Sequence, residues 1–106
     1  MRITAYENYY VMWGSSLEIQ FMVDGGRTPY LIEVTHPNHE TFIKYYKGND
    51  THCQNHGVNW KECKKTIDVI DYSHEGRYEV ETINHNQNYI KYINEVEIEL
   101  KMICRT

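Results

Sequence analysis

Apolar and polar side chains alternate most strictly at two places in the chain. Leu17, Ile19, Phe21 and Val23 alternate with Glu18, Gln20, Met22 and Asp24, and Val96, Ile98, Leu100 and Met102 alternate with Glu95, Glu97, Glu99 and Lys101. A period of two sends one set to each face of a pleated strand, so both runs predict half-buried antiparallel strands. Lys65 to Leu100, which takes in most of the second run, reads as three strands joined by turns. Ile67 and Ile70 precede a polar turn from Asp71 to Gly76, a new alternating run starts at Arg77, Tyr78, Glu79 and Val80, and an Asn-rich reversal (Asn84 to Asn88) leads into the last strand.

The remaining stretches read the same way. Arg2 to Trp13 predicts one opening strand, with Tyr9, Val11 and Trp13 on one face, and Gly14-Ser15-Ser16 a turn. Asp24 to Pro29 is a loop by composition. Tyr30 to His36 predicts a strand with Tyr30, Ile32 and Val34 on one face, Pro37-Asn38-His39 a turn, and Thr41 to Tyr46 a short strand. Lys47 to Asn59 reads as a polar loop with room for one short strand, and strand character resumes over Glu62 to Ile70. With turn signals every eight to twelve residues and no helical period, the pattern predicts an all-β antiparallel sandwich of seven to nine strands, an all-β barrel being the competitor.

With 106 residues the chain holds a single domain, spanning 1–106, expected to be one unit of a larger protein. A net charge of −4 argues against nucleic-acid or anionic-membrane partners. Lys61, Lys64 and Lys65 form a trio expected to lie on a solvated face. No run is long enough to cross a bilayer, and the opening MRITAYENYY lacks the apolar core of a signal peptide. That opening suggests a cytosolic chain or a mature fragment with an added Met.

Three cysteines make an odd count. In an oxidising compartment Cys53 pairs with Cys63 across a short loop and Cys104 is left over; in a reducing one all three stay thiols. Asn49-Asp50-Thr51 is an N-glycosylation triplet, so Asn49 leans towards secretion. His52, Cys53, His56 and Cys63 offer four nitrogen or sulfur donors, with His36 and His39 upstream, but their spacing matches no zinc motif. A Cys/His hydrolase needs a spatial constellation that sequence adjacency does not supply. Glu95, Glu97 and Glu99 repeat at about 7 Å along a strand, as a solvent face does, rather than converging on calcium. Gly25-Gly26 reads as a hairpin turn, not a phosphate loop. No catalytic residue, cofactor or metal is expected.

Gly76-Arg77-Tyr78 after Ile67 and Ile70, followed by Asn84 and the run Val96-Glu97-Ile98-Glu99-Leu100, resembles the end of an immunoglobulin-like domain of the I-set or V-like kind. Gly14 before the Leu17 to Val23 alternation, with a Gly-x-x-Pro loop after it, resembles that family's second strand. The resemblance implies that Tyr78 is the corner tyrosine whose hydroxyl bonds back to preceding backbone. It also implies that Phe21 and Val80 stand where the family keeps its inter-sheet disulfide, and Val34 at or near its core tryptophan. The expected core is therefore Phe21, Val34, Tyr78 and Val80, without the usual bridge between sheets. His74 stands where an Asp is common.

Ten tyrosines among 106 residues exceed the needs of one core. Tyr45, Tyr46, Tyr89, Tyr92, Phe42 and Trp60 are the expected surplus, and Tyr suits recognition because it offers a large contact area at low entropy cost. The resemblance implies a binding face made of Glu33, Lys44, Tyr46, Glu79, Glu81, Tyr89 and Tyr92. The function so implied is non-enzymatic protein–protein recognition by an extracellular or cell-surface domain, with homophilic contact allowed. The alternatives are an intracellular structural module of the muscle-filament type and a His/Cys zinc-binding domain.

Overall fold

The computed structural model describes residues 2–24, 31–46, 52–57, 60–85 and 91–103, and only the backbone of 55–57, 60, 84–85 and 91–94. The described residues form nine strands and one 3-10 turn. The strands are β1 (Arg2–Ala5), β2 (Asn8–Met12), β3 (Leu17–Asp24), β4 (Leu31–Thr35), β5 (Thr41–Tyr46), β6 (Cys53–Gly57), β7 (Trp60–Ile67), β8 (Gly76–His85) and β9 (Lys91–Ile103). They make two sheets, β1-β3-β7-β6 and β2-β9-β8-β4-β5, packed as a sandwich. All neighbouring pairs are antiparallel except β2 and β9, which run parallel.

The seam between the sheets is filled by alternate side chains of both. Ile19, Phe21, Val23 and Cys63 come from one sheet and Ile32, Val34, Tyr78, Val80, Ile98 and Leu100 from the other, each at most 2% exposed. Phe21 and Val80 thus enter one core from opposite sheets. Burying such side chains contributes roughly 1.5–3 kcal/mol each. Cys53 and Cys63 are bonded to each other, but they are cross-strand partners in β6 and β7 of the same sheet. The cross-link therefore staples an edge strand rather than joining the two layers. With a sequence separation of 10, its loss in a Cys53→Ser, Cys63→Ser double variant should cost roughly 2–3 kcal/mol by the chain-entropy account. Urea denaturation would read this as a lower midpoint, and an unchanged midpoint would contradict it.

Three stretches depart from the alternation seen in the sequence. The opening run is two strands rather than one: β1 pairs with β3 and β2 crosses to the other sheet to pair with β9. Where β1 ends, the Tyr9 hydroxyl takes over and bonds to both the backbone N–H and the carbonyl of Gln20, at 3.3 and 3.4 Å. Its partial burial raises the Tyr9 pKa. Trp13, expected beside Tyr9 and Val11, lies instead in the turn after β2 and is 53% exposed. On β5 the register shifts against the Val34/Thr35 step of β4, so that consecutive Phe42 and Ile43 are both buried.

Lys61 and Lys65 are not on a solvated face. They flank Cys63 on the inward side of β7, and Lys61 is 4% exposed. Lys61 Nζ lies 4.6 Å from the Tyr45 ring centre and Lys65 Nζ lies 4.8 Å from that of Phe42, while donating to the Phe42 carbonyl at 2.9 Å. Their methylene stems fill the seam and their ammonium groups sit over ring faces of β5. Lys64, between them, is exposed.

Candidate recognition face

The face of the five-stranded sheet that turns away from the core is set by period two. With Val34, Val80 and Ile98 inward, residues 33, 79, 81, 95, 97 and 99 point outward, and strand register aligns them in rows. One row crosses four strands as Lys44, Glu33, Glu81 and Glu95. The next holds Thr35, Glu79 and Glu97, and the one beyond holds Arg77, Glu99 and Asn8. Glu81 therefore has a glutamate directly across the ladder on either side, and Glu79 faces Glu97. Like charges opposite one another destabilise a sheet. Arg77 offsets part of this with an ion pair to Glu97 at 3.4 Å. A shallow hollow of about 140 Å³ lies among Glu33, Thr35, Glu79, Glu81, Glu95 and Glu97.

On one side these carboxylates border an apolar row in which Tyr46 faces Leu31 and Leu31 faces Ile83. Ile83 is on the outward side of β8 yet only 6% exposed, whereas Tyr46 is 46% exposed. The register gathers Glu33, Lys44, Tyr46, Glu79 and Glu81 onto one surface. Tyr92 lies on β9 across from Asn84, with its side chain outside the described residues, as is the side chain of Trp60. Tyr89 and the sequon at Asn49 also fall outside them. Of the expected aromatic surplus, Phe42 and Tyr45 belong to the core. The large exposed aromatics are instead Tyr6, Tyr10, Trp13 and Tyr72 as well as Tyr46. Tyr10 and Met12 sit across from Lys101 and Ile103 at the far end of the same outward face. Strand alternation set Tyr10 on the opposite face from Tyr9 and Val11, but only the parallel pairing of β2 with β9 shows which surface it joins.

The corner between β7 and β8 supports the hairpin arms. The 3-10 turn Tyr72–His74 is capped at both ends of a box: the Asp71 carboxylate accepts from the Ser73 N–H at 2.8 Å, and His74 Nδ1 accepts from the Asp71 N–H at 3.1 Å. The Ser73 hydroxyl also donates to Asp71, and these bonds lower the Asp71 pKa. Tyr78, fully buried, donates its hydroxyl to the His74 carbonyl at 2.9 Å, and burial pushes its pKa up to about 12. His74 thus closes its own turn through a ring nitrogen.

Among the described residues no three His, Cys, Asp or Glu side chains are placed to hold a metal ion, and no helix is long and apolar enough to cross a membrane. Cys53 and Cys63 spend their sulfurs on each other. No family model matches the chain, and no curated protein matches it. Solved structures do. The chain is similar to murine CRIg with a TM-score of 0.72 and 17% identity, covering 97% of this chain and 98% of that one. It is also similar to the Ig1 domain of mouse SynCAM 2, with a TM-score of 0.57 and 12% identity over 95% of this chain and 98% of that one. The two-sheet architecture and these likenesses give the chain an immunoglobulin-like fold.

Proposed function

We propose that this domain recognises another protein through the outward face of its five-stranded sheet and carries no catalysis. The observation that supports it is the set of glutamates facing one another across β4, β8 and β9 beside the Tyr46, Leu31 and Ile83 row. Such a face fits a partner that presents basic groups around an apolar side chain, the carboxylates steering encounter and the apolar row anchoring it. Tyr89 and Tyr92 extend the proposed footprint. The Cys53–Cys63 bond and the Asn49 triplet support an extracellular or cell-surface setting, within a longer protein, over the muscle-filament type of module. Thiol labelling with and without reductant tests the setting: three free thiols before reduction would favour the intracellular module.

Replacing Glu79 and Glu81 by Lys separates binding from folding. The double variant removes like-charge pairs, so its stability should hold or rise by a few tenths of a kcal/mol. Binding of the tetramerised domain to arrays of cell-surface ectodomains should lose its wild-type hits, and those hits should weaken steeply with added salt. Hits that persist in the charge-reversed variant would overturn this face as the binding surface.

A further inference from the structure

Two imidazoles from distant parts of the chain meet beneath the β4–β5 turn. His36 follows β4; its N–H donates to the Glu40 carbonyl at 2.7 Å and its carbonyl accepts from the His39 N–H at 2.9 Å, which closes the turn. Its ring packs 4.9 Å from Phe42, 5.1 Å from Tyr78 and 6.3 Å from His74, centre to centre. The same turn presses Pro37 against Gly76, where an added Cβ would lie 2.9 Å from the proline ring. The turn is thus held on the tyrosine corner by one proline and one histidine.

The charged and titratable groups around His36 are unevenly matched. His74 reaches it from the 3-10 turn, Lys65 from β7 over the shared Phe42 ring, and Glu40 from the turn itself. Tyr78, from β8, is a neutral phenol there. Asp71 faces His74 rather than His36, with its carboxylate 3.2 Å from His74 Nδ1. A proton on His36 would place a half-buried cation beside Lys65 and a second imidazole, with Glu40 as its one opposing charge among these groups.

We propose that His36 and His74 form an acid-sensitive latch, which holds the β4–β5 turn against the tyrosine corner near neutral pH and lets it go on acidification. Burial first, then His74 and Lys65, lower the His36 pKa, with Glu40 acting the other way. A group with a depressed folded pKa lends its stability above the unfolded value, near 6.5, and loses it as the pH falls through the folded value. Between those two values the open-to-closed ratio rises by up to about tenfold per pH unit for one proton. The arms of this turn carry Glu33 and Lys44, so its release would also disturb one edge of the outward face.

Imidazole NMR titration of the intact chain, with thermal unfolding followed from pH 7.5 to 5.0, tests the latch. His36 should titrate below a free imidazole, and the backbone signals of residues 35–42 should move with the same midpoint. Lys65→Met keeps the stem and removes the charge, so it should raise the His36 midpoint, as should His74→Gln. His36→Gln should abolish most of the acid-induced fall in Tm. The latch is refuted if His36 titrates at or above the free value, if Lys65→Met leaves its midpoint unmoved, or if His36→Gln retains the full fall. Should His36→Gln not fold, the wild-type and Lys65→Met titrations decide alone.

Discussion

Phe21→Ala should cost about 3–5 kcal/mol, the range for deleting a buried ring from a packed core. Phe21 is 2% exposed on the central strand β3, between Ala5 of β1 and Cys63 of β7 in the ladder, and its ring fills the seam opposite Val34, Tyr78 and Val80. Pairing of β3 on both sides limits how far its backbone can shift to close the space. In a domain of this size each kcal/mol is worth about 4–8 °C of Tm, so the transition should drop by well over 10 °C. That is a large share of the 5–15 kcal/mol that holds a typical domain folded. A loss below about 1 kcal/mol would show that the ring does not fill the seam.

Gly76→Ala should be nearly as damaging, for a different reason. Gly76 opens β8 with φ +133°, a region that side chains rarely enter, and its Cβ would lie 2.9 and 3.0 Å from two carbons of Pro37. Backbone strain of about 1–3 kcal/mol adds to a steric term of similar size, for a total of roughly 2–6 kcal/mol. A Pro37→Gly background should relieve the steric part only. Denaturation of the two single variants and the double variant would give a coupling of about 0.5–3 kcal/mol. Strict additivity would place the whole cost in the dihedral and remove the contact from the account.

How much of this was legible in the sequence differs by element. The β3 and β9 alternations were plain because one face of each is buried and the other wet, so hydropathy tracks geometry residue by residue. Tyr78 was legible from its place after Gly76. The break between β1 and β2 was not, since neither Gly nor Pro marks residues 6 and 7, and distant partners in β3 and β9 decide where the chain changes sheets. β6 was legible only as room for one short strand in a polar stretch, because it is held by pairing and by Cys53 rather than by apolar content. Lys61 and Lys65 misled for the opposite reason: charge suggested water, while their long stems and the ring faces of β5 made the seam acceptable. On the candidate face the glutamates of β9 were legible as outward, but their alignment with Glu79 and Glu81 is a matter of register, which one strand does not record.

The parallel pairing of β2 with β9 has a mechanical consequence. Tension drawn between the two ends of the chain pulls these neighbours in opposite senses along their shared axis. The five facing pairs from Asn8–Glu99 to Met12–Ile103 are then sheared together rather than peeled apart one at a time. An antiparallel pair closed by a hairpin, loaded at its two open ends, would yield bond by bond.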